Sequence, residues 1–139
     1  MQDRTKARAL LLRGALVWTG RGDGFHELDI AVRGSRIVAV GKGLSPEEGA
    51  EVKDLKGFRV TPGLIDAHTH IGVCPEGFPQ ATMADDNDMV DPVTPQLRAL
   101  DALYPGDEAF EDALSGGVTC VQALPGSGNV IGGQGVVVK

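Results

Sequence analysis

Pro62-Gly63-Leu64-Ile65-Asp66-Ala67-His68-Thr69-His70 is the stretch on which the fold of this chain turns. Residues 63–67 form a short, largely apolar run, of the kind shown by a strand buried on both faces. Residues two apart on a strand project to the same face, so His68 and His70 point together at its end. Two imidazoles side by side can chelate one divalent metal, typically zinc. Asp66 shares that face one step deeper, where its carboxylate can orient a ligand as a hydrogen-bond acceptor. A bare His-x-His pair is common on protein surfaces. This one ends an apolar strand, follows Pro-Gly and precedes a long loop.

Downstream, residues 71–93 carry several acids and no periodicity, which reads as a long loop; loops of that length are disordered or functional. Thr94-Pro95 predicts a helix start, an N-cap followed by proline at the first helical position, with Leu97, Leu100 and Tyr104 as its apolar face. A second helix is expected from near Asp107, because Asp107 and Glu108 suit the positive end of a helix dipole. Phe110, Ala113 and Leu114 lie at i, i+3 and i+4, and Gly116 or Gly117 ends it. Residues 118–124 follow as a strand. Strand, helix, strand at this spacing is a βαβ unit with parallel strands.

Gly126-Ser127-Gly128-Asn129-Val130-Ile131-Gly132-Gly133-Gln134-Gly135 is glycine-dense. It lacks the Gly-Lys-Ser/Thr ending of a phosphate-binding loop, and no helix pattern follows to make it a dinucleotide fingerprint. Two readings stay open: a flexible or tightly turning loop, or an active-site loop at the carboxyl end of the preceding strand, where ligands bind in α/β folds.

Upstream, the first 62 residues read as β structure. Residues 9–19 are rich in Leu and Val and run into the turn cluster at residues 20–24. Residues 27–33 alternate, with Leu28, Ile30 and Val32 on one face and Glu27, Asp29 and Arg33 on the other. Gly34-Ser35 predicts a type II′ hairpin turn placing Arg33 beside Arg36. Residues 45–49 make at most one helical turn, and short runs follow at 51–55 and 58–61, broken by Gly57. The expectation is a small antiparallel sheet, half of a sandwich.

The whole chain has 139 residues, 42% hydrophobic, with 13 basic and 19 acidic side chains and a formal net charge of −6. That length suits one ordinary domain, and the composition is globular rather than disordered. A net acidic chain without a Lys/Arg cluster is a poor polyanion binder, which argues against nucleic acid. Cys74 and Cys120 make no disulfide framework and suit a reducing cytoplasm. Residues 1–17 faintly imitate a signal peptide, but Arg13 interrupts the apolar stretch and no small-residue cleavage site follows. No run reaches the 18 or so apolar residues of a membrane span. A soluble, cytoplasmic protein without a membrane partner is expected.

The motif at residues 62–70 closely resembles the signature of the amidohydrolase superfamily. Residues 91–99, Asp-Pro-Val-Thr-Pro-Gln-Leu-Arg-Ala, and residues 125–134 are similar to its imidazolonepropionase-like branch. The resemblance covers nearly the whole chain from residue 9. It implies an α/β fold with a small N-terminal antiparallel β-sandwich over residues 1–62. The first strands and helices of a (β/α)8 metal-dependent hydrolase barrel then occupy residues 63–139. It implies that His68 and His70 hold a catalytic divalent metal, most naturally zinc. Such a metal lowers the pKa of bound water to about 7, and the hydroxide attacks an amide, lactam or similar carbonyl. The activity implied is hydrolysis of carbon–nitrogen bonds other than peptide bonds in a small-molecule substrate, of cyclic amide or N-acyl type.

Length departs from the family. A (β/α)8 barrel takes about 250 residues, whereas only 69 follow His70. The further ligands and the general base that the family draws from later strands have no counterpart here. The expectation is therefore the N-terminal portion of such an enzyme, inactive alone. As a homo-oligomer, or paired with the remainder of the barrel from another chain, it would bury the strand at residues 118–124. A non-catalytic assembly module is the alternative. Among weaker candidates, Lys139 is a carboxylated bridging ligand or simply solvated, and Cys74 is a further ligand or a bystander. Asp85, Asp86 and Asp88 hint at calcium but lack the glycine and closing glutamate of an EF-hand, so a solvated acidic loop is the default. His26 reads as a solvated strand residue and Trp18 as packing at a strand end.

Overall fold

The computed structural model describes residues 8–22, 24–76 and 86–139. It is mostly β-sheet with two short helices among the described residues. The chain divides into two compact units, Met1–Pro62 and Gly63–Lys139. Among the described residues, no helix is long and apolar enough to cross a membrane.

The first unit is one sheet of five strands: β1 (Ala9–Val17), β2 (His26–Arg33), β3 (Arg36–Gly41), β4 (Glu51–Asp54) and β5 (Arg59–Val60). β1–β2 and β2–β3 pair antiparallel, but β4 and β5 both lie parallel to β1, so the sheet is mixed rather than antiparallel. β1 also sets where that parallel pairing is interrupted. Its register shifts between Leu12 and Ala15, with Gly14 at φ 69°, and opposite this bulge the chain leaves β4, turns through Gly57 (φ 87°) and rejoins as β5. Leu55 N donates to Arg13 O and Leu16 N to Phe58 O, so the break stays backbone-paired. The Gly34–Ser35 turn sets Arg33 opposite Arg36 as the hairpin reading requires, with Gly34 at φ 60°. Ala15, Val17 and Ile30 form the core, and Leu28 and Val32 pack against it. Part of the turn cluster at residues 20–24, Asp23, lies outside the described residues.

The second unit contains β6 (Leu64–Thr69), α1 (Ala99–Ala102), α2 (Ala109–Ser115), β7 (Val118–Ala123) and β8 (Val136–Val138), with sheet order β6-β7-β8. β6 and β7 are parallel with α2 between them in sequence, the expected βαβ unit. β8 returns antiparallel to β7, which the sequence reading did not foresee. β7 is therefore the central strand of this sheet among the described residues, with β6 and β8 at the edges; of its residues Val121 and Ala123 are buried.

Two further expectations fail. β6 is not buried on both faces: Ile65 is 74% exposed. A two-sided burial needs neighbours across both faces, and among the described residues β6 pairs with β7 alone. Nor does a helix start at Thr94-Pro95. Thr94 N donates to Ile131 O and Ala99 N to Gln134 O, so these amides are spent on sheet-like bridges to the glycine-dense segment. Helix begins only at Ala99, and Leu97, Leu100 and Tyr104 remain exposed.

Candidate metal centre

His68 sits near the carboxyl end of β6 and His70 just beyond it. Their imidazole centroids are 5.5 Å apart with ring planes at 88°. The pairing register of β6 against β7 slips between Asp66 and Thr69, so an extra residue is accommodated at Ala67–His68. A bulge there re-aims side chains that a regular strand would place by alternation alone. Asp66 Oδ1 accepts from His68 N at 3.0 Å. Its carboxylate thus steadies the backbone of this bulge; the sequence reading had it orienting an imidazole.

His70 is the better anchored of the two. Its Nδ1 lies 2.9 Å from Leu124 O, and Leu124 N donates to Thr69 O at 2.8 Å. A carbonyl can only accept, so Nδ1 carries the proton of the neutral ring and Nε2 keeps a free lone pair. That is the tautomer a metal ligand needs, fixed by the carboxyl end of the neighbouring strand. On the other side, His70 O accepts from Val73 N and Cys74 N, closing a tight turn after the motif. His68 is exposed to solvent.

The donor chemistry of this pair fits a borderline cation such as zinc, but it supplies two ligands where structural sites use four and catalytic sites three. Among the described residues, no group of three or more His, Cys, Asp or Glu could hold a metal ion. Cys74 therefore adds no third ligand there. Lys139 follows β8, which runs back along β7, and it lines a groove with Cys120 and Phe110. That register carries it away from the end of β7 where Leu124 meets His70. Asp85 lies outside the described residues. Asp86 accepts from Asn87 Nδ2 and Asp88 from Val90 N, so both carboxylates serve their own loop. His26 opens β2 and is exposed, as expected.

The glycine-dense segment starts where β7 ends and is tightly laced to residues 86–99. Asn129 Nδ2 donates to Asp88 O at 2.8 Å and Asp91 O at 2.9 Å; Gln134 N donates to Leu97 O at 2.7 Å. Gly133 explains the composition: a Cβ there would stand 2.6 Å from Leu97 O. Of the two readings left open, the structure bears on the first: the segment is a tightly turning loop.

Asp107 is the residue whose reach sequence reasoning missed. It is 4% exposed, and its Oδ1 accepts from Ala109 N at 3.1 Å, so it caps the first amide of α2 from one position ahead of the N-cap residue Glu108, whose side chain makes no cap bond. Oδ1 also accepts from Glu76 N at 3.1 Å and Oδ2 from Gly72 N at 2.8 Å. The capping part was visible as an acid ahead of a helix. The partners 31 and 35 residues away left no local signal.

No protein-family model matches the chain. Among solved structures, an amidohydrolase from Thermotoga maritima MSB8 superposes with a TM-score of 0.83 and 41% identity, covering 94% of this chain and 33% of that one. The amidohydrolase tasK of Hapsidospora irregularis is 35% identical over 147 residues, covering 93% of this chain and 15% of the relative. A dihydroorotase of Lactobacillus leichmannii is 50% identical over 62 residues, which is 45% of this chain and 14% of that protein. The chain thus spans a small part of the curated relatives it matches.

Proposed function

The chain belongs to the amidohydrolase superfamily, and on that premise we propose that it supplies the first two metal ligands, His68 and His70, of a metal-dependent hydrolase. The bond cleaved is a carbon–nitrogen bond other than a peptide bond, in a small cyclic amide or N-acyl substrate. The observation that carries this reading is the His70 imidazole, held through Nδ1 by Leu124 O with Nε2 free beside the ring of His68. The similarity to a dihydroorotase, whose name implies a cyclic amide substrate, supports the substrate class.

In this reading residues 1–62, whose strands form one mixed sheet, contribute half of the β-sandwich domain. Residues 63–139 open a (β/α)8 barrel, with β6 as its first strand and the site at the carboxyl ends of the strands, where such barrels carry their chemistry. The remaining ligands, the general base and the rest of the barrel come from residues outside these 139, in a cytoplasmic protein. A bound divalent metal, zinc by donor type, would supply a Lewis acid and a water activated near neutral pH. Leu124 orients His70, Asp66 holds the backbone that carries His68, and the laced segment at residues 126–135 borders the site. Assignment to the imidazolonepropionase-like branch rests on residues 91–99 and 125–134 alone.

The test is metal analysis of the complete protein together with a panel of cyclic amides and N-acyl substrates. A bound divalent metal and turnover of at least one class are expected. His68→Ala and His70→Ala should each abolish turnover while leaving the circular dichroism unchanged, since a lost ligand removes the activated water and not the core. Full activity in either variant would remove the hydrolase reading. The exposed length of β6 favours a second reading, a non-catalytic module that another chain covers; a complete protein free of metal and inert on the whole panel would select it.

A further inference from the structure

We propose that Asp107 is a positioning residue for the His68–His70 pair, locking the turn that follows the pair onto the start of α2; this rests on the metal-ligand reading above. The burial of Asp107 is the starting point. Taking a carboxylate out of water costs several kcal/mol unless hydrogen bonds replace its hydration. Capping α2 uses only the Ala109 N–H, and an exposed side chain can do that. The remaining bonds, from Gly72 N and Glu76 N, contribute nothing to the helix. They are charge-assisted and so roughly twice as strong as neutral ones; one reaches Gly72 inside the turn that begins at His70, the other Glu76 just after it.

The seat is matched from the loop side. Tyr104 N donates to Gly72 O at 2.8 Å, so Gly72 is held at both its amide and its carbonyl. Gly72 has φ 75°, and a Cβ there would stand 2.8 Å from Leu103 Cδ1 and 3.1 Å from Phe110 Cε2. The turn therefore has one place to lie. Since His70 O accepts from Val73 N and Cys74 N in that same turn, a shift of Gly72 is passed directly to the His70 backbone. His70 is thus gripped twice: through its ring by Leu124, and through the chain that follows it by Asp107.

The experiment is a zinc titration of the complete protein, followed by NMR on the imidazole nitrogens of His68 and His70 with exposed His26 as internal reference. Asp107→Asn replaces one accepting oxygen by an NH2 group that cannot accept. Asp107→Ser keeps a helix cap for Ala109 N but is too short to reach Gly72 or Glu76. Asp112→Asn makes the same charge change on α2 at an exposed acid. Zinc affinity at the pair should fall about 10-fold or more in both Asp107 variants and stay within about two-fold in Asp112→Asn, the size typical of losing an outer-shell partner. The fraction of His70 in the Nδ1–H tautomer should fall with it, while the α2 amides stay protected in Asp107→Ser. A folded Asp107 variant with wild-type affinity and tautomer overturns the proposal, and so does loss of fold in both, which would make Asp107 a folding residue only. If zinc moves neither imidazole in the complete wild-type protein, the metal reading itself fails and this proposal falls with it; a wild-type response unaltered by the variants defeats this proposal alone.

Discussion

In residues 1–62 the apolar atoms of the sheet face one another: Ala15 and Val17 of β1 and Ile30 of β2 are buried, with Leu28, Val32 and Val60 packed around them. In residues 63–139 the first strand turns Leu64 and Ile65 outward, and Val137 on β8 is exposed as well. Order there comes from polar pins instead: Asp107 on three amides, Leu124 on Thr69 and His70, and Asn129 across two carbonyls. The contrast teaches what each unit is for. The β1–β2 centre of the first sheet hides its own side chains and is a scaffold, although Ile37, Val38 and Val40 of β3 and Val52 of β4 stay exposed. A sheet that exposes its strands yet fixes its loops by hydrogen bonds holds one end in register and leaves its faces for other elements to cover.

The comparison breaks most easily at the core residue. Ile30→Ala should cost about 2–4 kcal/mol, the transfer term plus a cavity, whereas Ile65→Ala should stay within about 0.5 kcal/mol because its side chain already faces water. Urea unfolding of the two variants decides it; equal losses would mean β6 is buried after all. Gly133→Ala sharpens the other half. The new Cβ meets the Leu97 carbonyl, an overpacking of about 1–3 kcal/mol. Amide exchange should speed up at Ala99 and Gln134 and stay slow across β6–β7, and a uniform change would show that the laced loops are not a local unit.

The smallest effect is expected from acid. Asp29, 5% exposed on the face of β2 opposite the core, accepts from Gly14 N at 2.8 Å and Leu44 N at 2.9 Å. The Gly14 amide foremost, then Leu44 and the charge of Arg13, hold its carboxyl below its ordinary value of 3.8, against the opposing effect of burial. A depressed carboxyl pKa contributes stability above the unfolded value, and that contribution is lost as pH falls through the folded one. Stability should therefore drop below about pH 4, and Asp29→Asn should flatten that part of the curve. An unchanged acid slope in the variant would show that the Gly14 and Leu44 bonds carry no such linkage.

Where sequence periods were local, they translated directly into structure. The alternation through Leu28, Ile30 and Val32 set the register of β2, and Gly34 followed by Ser35 sufficed for the hairpin, because a period of two and a positive-φ glycine act within a few residues. The helix at Ala109–Ser115 and the strand after it were legible for the same reason. Thr94-Pro95 misled because its local preference for a helix start competed with backbone partners at Ile131 and Gln134, more than 30 residues away. Tertiary pairing won, as it does when a weak propensity meets several backbone hydrogen bonds.

The candidate site divides along the same line. Spacing alone placed His68 and His70 near the end of one strand, but the pairing slips at Ala67–His68 and His70 lies beyond β6, so the 5.5 Å approach of their rings was decided by the fold. Which nitrogen of His70 is free, how the bulge re-aims His68, and what keeps the following turn in place were decided only by the fold. Each depends on a carbonyl or carboxylate contributed from another part of the sequence: Leu124 for the ring, Asp107 for the turn. A hydrogen bond requires about 3 Å and a near-linear approach, and only the folded chain can bring groups 54 or 35 residues apart to that geometry.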